Sequence, residues 1–275
     1  MSAFWFKLQF RIKALVLRLL YFKTEQRLLA GTFKSENPKP SIVFFTVHKA
    51  GSSLLTMRFT PFFSKNGYAI SDLSSWFARI KPAARAVFFQ DEKLKSRVFS
   101  ASGVFHCVFR YPFDFAGFDK HKIILVLRDP RDVLVSHFFS TRYSHPVQNP
   151  EFYKLKATAG TLDIDEYVLK MASDFRKRYE HYLLWIGKPN VLFARYEDII
   201  TSPEVFEKQL DAFTELTLQA GEIVSPEDFE LNKEDPKAHK RKVQAGDHKE
   251  KLKPETIGLL NKEFQRVLEQ LKYSV

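Results

Sequence analysis

Residues 122–136, KIILVLRDPRDVLVS, constrain the fold more than any other stretch of the chain. KIILVL is a continuous apolar run of strand length, the pattern of a parallel strand covered on both faces. It stops at Arg128, and Asp129-Pro130 reads as an N-cap and first-turn proline opening a helix over 130–142. The passage from strand to helix recurs in SIVFFTVHKAGSSLL (41–55), which predicts a strand at 42–47, a small-residue loop and a helix from Ser52 to Phe63. GVFHCVF (103–109) and NVLFARYEDI (190–199) read as further strands. A helical stretch over 161–187 stops at Gly187-Lys188-Pro189, and Thr201-Ser202-Pro203-Glu204 opens the next helix with capping-box chemistry. Ile257, Leu260, Phe264, Leu268 and Leu271 predict one last helix. Strands alternating with helices imply an α/β fold: a single domain over 41–275 with a central parallel β-sheet flanked by helices, and ligands at the carboxyl ends of the strands. Residues 1–40 form a basic amphipathic extension before it.

The net charge of +11 is localised. Residues 1–40 and 237–253 together carry all of it, and the rest of the chain sums to about zero. Localised charge fits a polyanionic small ligand and an anionic membrane surface better than a nucleic acid, for which no readout motif is present. Lys7, Arg11, Lys13 and Arg18 interrupt the apolar N-terminus, so no run reaches the ~18 residues of a transmembrane helix. Two readings of residues 1–27 fit equally: an interfacial helix on a membrane, or a helix packed on the domain's own core. The one cysteine, Cys107, excludes a disulfide framework and fits a reducing compartment, hence a cytoplasmic setting with a peripheral membrane contact; the Golgi membrane is the alternative.

HKAGSS carries the first chemical signal. Gly51 lets the backbone approach an anion, Ser52 and Ser53 sit at a helix N-terminus, and Lys49 adds a full positive charge. It is not a Walker A loop, because the lysine precedes the glycine. RDPRDVLVS carries the second signal. Arg128 ends a buried strand, and Ser136 lies on the following helix where its hydroxyl can turn back, so the pair can clamp a phosphate. The alternative is that Arg128 pairs with Asp129 or Asp132. KAHKRKVQAGDHK is the third, a dense basic loop that is otherwise a solvated charge run.

HKAGSSL resembles the 5′-phosphosulfate loop of the sulfotransferase family, and RDPRDVLVS its 3′-phosphate motif. YEDI is similar to the family's tyrosine turn, and RKVQAGDHK to its basic C-terminal loop. The four matches occur in family order over roughly residues 41–255. The resemblance implies a P-loop-like sulfotransferase fold and a donor, 3′-phosphoadenosine 5′-phosphosulfate (PAPS), with no metal. It further implies that Lys49 contacts the donor's bridging oxygen and that Ala50, Gly51, Ser52, Ser53 and Leu54 form the loop around its 5′-phosphate. Arg128, Ser136, Arg241 and Lys242 would hold the 3′-phosphate, Tyr196 would lie near the adenine, and His106 would be the catalytic base. The sequence departs from the family pattern at Val104, Leu54, Val243 and His248, where lysine, tryptophan, glycine and tryptophan are common.

These residue types suit sulfuryl transfer, whose loose in-line transition state is stabilised chiefly by positioning and charge. A lysine at the bridging oxygen helps the leaving phosphate, and a neutral histidine can take the acceptor's proton. His48 and Asp114 stand behind His106 as alternative bases. The acceptor is a hydroxyl compound, whether a small alcohol or phenol, a lipid or a glycan. The phenylalanine-rich stretch 59–118 and the loop 143–160 are expected to line its pocket, although core packing explains the phenylalanines equally well. An ATP-dependent P-loop kinase and a non-catalytic membrane-associated protein of nucleotide-binding fold are the competing readings.

Overall fold

The computed structural model describes residues 21–81, 84–144, 150–224 and 245–275. The strands are β1 (Ile42–Thr46), β2 (Ala69–Ser71), β3 (Val104–Phe109), β4 (Lys122–Leu127) and β5 (Val191–Arg195). They form one sheet in the order β2-β3-β1-β4-β5, and every pairing is parallel. The helices of the first half are α1 (Lys23–Ala30), α2 (Ser52–Lys65), α3 (Leu73–Arg79), α4 (Ala84–Gln90), α5 (Glu92–Val98) and α6 (Pro130–Phe139). Those of the second half are α7 (Pro150–Thr161), α8 (Ile164–Leu183), α9 (Tyr196–Thr201), α10 (Pro203–Thr214), α11 (Asp247–Lys251), α12 (Pro254–Glu263) and α13 (Gln265–Gln270).

β1 is buried along its whole length, which is why IVFFT has no polar alternation. Successive side chains point to opposite faces. Val43, Phe45 and Val47 join a core with Val133, Phe175, Tyr182 and Leu260, while Ile42 and Phe44 join one with Phe59, Phe63, Phe206 and Leu210. The sheet is therefore covered on both faces, as expected of an α/β fold. Phe44, Phe45, Phe59, Phe62, Phe63, Phe77, Phe88 and Phe105 are all fully buried. Each contributes roughly 1.5–3 kcal/mol by leaving water. The phenylalanines of the stretch 59–118 are thus largely core.

Several boundaries differ from the sequence reading. YEDI is not strand: β5 ends at Arg195 and Tyr196 opens α9, with Glu197 and Asp198 in its first turn where the helix dipole favours them. Helix α6 stops at Phe139 and gives way to a short π-helical turn at Ser140–Ser144. Ser202 makes no side-chain cap, and the capping box lies instead at Asp163 and Glu166, opening α8. The last helix is broken at Phe264 into α12 and α13.

Packing also extends N-terminal of residue 41. Phe22 and Leu28 belong to the same core as β1, and Arg97 Nη1 donates to Leu29 O at 3.1 Å, docking α1 on α5. The part of the proposed membrane helix at residues 22–27 therefore packs on the domain, and residues 1–20 lie outside the described residues. No described helix is long and apolar enough to cross a membrane.

Candidate active site

The carboxyl ends of β1, β3, β4 and β5 meet around the loop 47–51. Tyrosines of α8 fix its level: Tyr182 Oη donates to Thr46 O at 2.8 Å and Tyr179 Oη to Arg128 O at 2.6 Å. Their hydroxyls find backbone acceptors in the core, as buried tyrosines must.

The loop itself is held in an uncommon backbone conformation. Lys49 has φ 69° and Gly51 has φ 74°, both left-handed. A non-glycine residue there carries roughly 1–3 kcal/mol of strain, and such strain gathers at ligand clamps. Left-handed residues directly ahead of a helix N-terminus, here that of α2, are the kind of backbone that anion-binding concavities use. Gly51 is required for a second reason: a Cβ on it would lie 2.6 Å from Tyr196 Cε2. Ala50 and Leu54 are buried, Ser52 is buried and Ser53 is exposed.

Arg128 closes the loop from β4. It is buried, and its Nη1 donates to Lys49 O at 3.1 Å while Cζ lies 4.9 Å over the Tyr196 ring. Its Nη2 is 3.6 Å from Asp132 Oδ2. Lys49, Gly51, Arg128 and Tyr196 are thereby brought together, with Ser136 half-buried two turns along α6. Arg241 and Lys242 lie outside the described residues.

Asp132 anchors the far end of the basic loop to this cluster. Its carboxylate accepts from Gly246 N at 2.7 Å, from His248 N at 2.9 Å and from His248 Nδ1 at 2.6 Å. Burial pushes the Asp132 carboxyl up, but the His248 bonds and the Arg128 charge outweigh it and hold it at about 2. A second anchor runs through Glu197, which accepts from Asp129 N at 3.0 Å and from Tyr273 Oη at 2.5 Å. Arg131 pairs with Asp129 through Nε and Nη2 at 3.0 and 2.6 Å. From the sequence, Asp129 and Asp132 are alternative partners of Arg128. In the fold each has its own cation, Arg131 and Arg128.

The expected base, His106, is not at this site. Its Cα is in register with Val43, near the start of β1. At ~3.3 Å per residue that is roughly 16 Å below the level of His48. It is fully buried, its ring tilted at 52° and 4.8 Å from the Phe99 ring, and burial followed by the nearby His121 pushes it down to about 3. The spacing from Arg128 is consumed by the connection between β3 and β4, so His106 is a core residue. Asp114 is also displaced, its Oδ2 lying 3.3 Å from His181 Nε2.

His48, the runner-up, is next to Lys49 at the carboxyl end of β1. Its Nδ1 is buried without a hydrogen-bond partner, and its ring lies 5.2 Å from Tyr111 and 6.3 Å from His137. Burial, then Arg110, His137, Arg178 and Arg85, hold its imidazole well below the usual histidine range. The ring is therefore neutral at physiological pH, the state a base requires. Arg110, at the end of β3, also reaches the loop directly, with Nε donating to Ser52 Oγ at 3.1 Å. The sequence reading missed Arg110, although RYP follows β3 much as RDP follows β4.

The sequence model of the sulfotransferase domain matches residues 112–272, more than half of the chain. The chain belongs to the sulfotransferase domain family. Its fold is similar to mouse sulfotransferase SULT7A1 complexed with PAP, at TM-score 0.59 and 16% identity over 89% of each chain. It is similar also to retinol dehydratase in a complex with retinol and PAP, at TM-score 0.53 and 14% identity over 88% of this chain and 84% of that one. No curated protein matches this sulfotransferase in sequence.

Proposed function

We propose that this sulfotransferase moves a sulfuryl group from PAPS to a hydroxyl acceptor, with His48 rather than His106 as the base. One observation carries the reading: a strained, lysine-bearing loop at a helix N-terminus is closed by a buried arginine that lies over Tyr196. Two anion sites follow, one in the amides of 49–53 and one at Arg128. A nucleotide with phosphates at both 5′ and 3′ positions fits that pair; ATP, with one polyphosphate, does not. PAP in the structural relatives supports the same donor class.

In this scheme the amides of Gly51, Ser52 and Ser53 hold the 5′-phosphate. Arg128 and Ser136 hold the 3′-phosphate, with Arg241 and Lys242 from the basic loop. The Tyr196 face, fixed against Gly51, positions the adenine side. The acceptor oxygen attacks sulfur, the bond from sulfur to the bridging oxygen breaks, and its electron pair leaves on the 5′-phosphate. Lys49 stabilises that growing charge more than the ground state, which is what accelerates the step. The acceptor's proton passes to the His48 imidazole. Although burial and then its cationic neighbours hold His48 low, the donor's negative charge acts in the opposite direction when bound. The proposed domain includes α1, because Phe22 and Leu28 are part of the core.

The donor assignment is tested by thermal unfolding with PAP and with 5′-AMP. PAP is expected to raise the melting temperature clearly more. Equal shifts would remove the 3′-phosphate site.

A further inference from the structure

A second group of cations lies beside His48 on the flank of β3, and it meets the donor loop where Arg110 Nε donates to Ser52 Oγ at 3.1 Å. The sheet order places β3 on one flank of β1, and β4 and β5 on the other. The donor residues Arg128 and Tyr196 follow β4 and β5. Arg110 and Tyr111 follow β3 and face His48 from the opposite flank.

Tyr111 organises two further arginines. Arg178 of α8 has its Cζ 4.4 Å from the Tyr111 ring centroid, and Arg85 of α4 has its own 5.2 Å from the same centroid. Two guanidinium groups on one ring repel each other, and Arg110 adds a third charge beside them. Among the described residues, no carboxylate forms an ion pair with Arg85, Arg110 or Arg178. Asp72 provides the largest attraction felt by Arg110, and its own carboxylate is committed to the N-cap of α3, accepting from Ser75 N at 2.9 Å. The group is thus a net positive wall beside a neutral base whose Nδ1 has no partner. Phe175 and Phe89 back the same arginines, at 4.6 Å from Arg178 Cζ and 6.0 Å from Arg85 Cζ, and carry no charge that would offset them.

We infer that the acceptor carries its own oxyanion, a carboxylate, sulfate ester or phosphate ester, and that Arg85, Arg110 and Arg178 hold it while His48 faces the hydroxyl. This rests on the sulfuryl-transfer reading above and names its substrate class. Planar guanidinium groups recognise oxyanions by paired hydrogen bonds, and a tyrosine ring that stacks two of them keeps their forks oriented before the acceptor arrives. An acidic acceptor would cancel the repulsion among the arginines; a neutral alcohol or an aromatic lipid would leave it in place.

The test is binding to the protein saturated with PAP, measured by calorimetry. The probes are glucose, glucuronate, glucose 6-sulfate and glucose 6-phosphate, which differ only at one carbon, so the preferred oxyanion is read from the series. At least one oxyanion is expected to bind about tenfold tighter than glucose, as one charge-assisted bidentate contact allows. The preference should vanish in Arg85→Gln/Arg178→Gln while PAP binding persists. Should the double variant fold poorly, the exposed Arg85→Gln alone should reduce the preference. Equal binding of all four probes, or a preference untouched by the substitutions, overturns the inference. Failure of PAP itself to bind would overturn the donor reading instead, and the same probe series on the nucleotide-free protein still decides this one.

Discussion

Tyr196 packs so closely on Gly51 that a single added methyl group would collide with its ring, at 2.6 Å from Cε2 and 2.9 Å from Cδ2. The contact ties the loop after β1 to the helix after β5, across the intervening β4, and Arg128 lies over the same ring. Loop shape and nucleotide face are therefore one unit.

Gly51→Ala should consequently damage binding more than folding. The left-handed backbone at φ 74° costs an alanine roughly 1 kcal/mol, and the collision adds to it. We expect a loss of stability of about 1–3 kcal/mol and a PAP affinity reduced at least about tenfold. Urea unfolding and calorimetry measure the two. Unchanged affinity would mean that the loop does not hold the nucleotide.

The two histidines make opposite predictions. His48→Gln should lower turnover by about 10²–10⁴-fold with PAP binding retained, the usual effect of removing a general base. His106→Asn should leave donor binding and the pH profile of turnover intact and act only on stability, because the residue is buried in mid-strand. Single-turnover assays with labelled donor separate the two. The reverse pattern would restore His106.

The sheet and its loops were legible because fully buried parallel strands leave unbroken apolar runs, as at KIILVL and IVFFT, and because Asp129-Pro130 is a local helix start. His106 was misplaced because spacing along the chain does not give height in a sheet. A distance from Arg128 that suits an active-site residue is spent here on the loop between β3 and β4. The tyrosine turn was read as strand because its apolar residues continue β5, whereas Glu197 and Asp198 favour a helix start. Arg85 and Arg178 were invisible for a different reason: they come from α4 and α8, and only the fold brings them to Tyr111.

Asp132 should make acid stability depend on the basic loop. Its carboxyl is held at about 2 against an ordinary value of 3.8, so the ionised form is favoured by the fold. The stabilisation is present above the ordinary value and is lost as pH falls towards 2. It amounts to about 2 kcal/mol. Asp132→Asn should lower the urea midpoint at pH 5, and its curve should converge with that of the wild type as pH drops to 2.5. Parallel curves would show that the ionisation of Asp132 contributes nothing to the acid dependence of stability.

Glu25 predicts the opposite pH dependence at the other end of the fold. It is buried on α1, where Oε1 accepts from Asp72 N at 2.5 Å and Oε2 has no partner. Burial is the dominant cause that raises its carboxyl to about 7 from 4.5, against the backbone hydrogen bonds that lower it. The fold therefore prefers the protonated form. Its contribution is complete below the ordinary value and is lost as pH rises through about 7. Glu25→Gln keeps the side chain neutral, so it should match the wild type near pH 5 and exceed it by about 2–3 kcal/mol near pH 8.5. Hydrogen exchange of the α1 amides, followed across that range, localises the effect: opening of α1 should become more frequent with pH in the wild type and not in the variant. Equal pH dependence in both proteins would show that Glu25 ionises without cost and that α1 is not held by a neutral carboxyl.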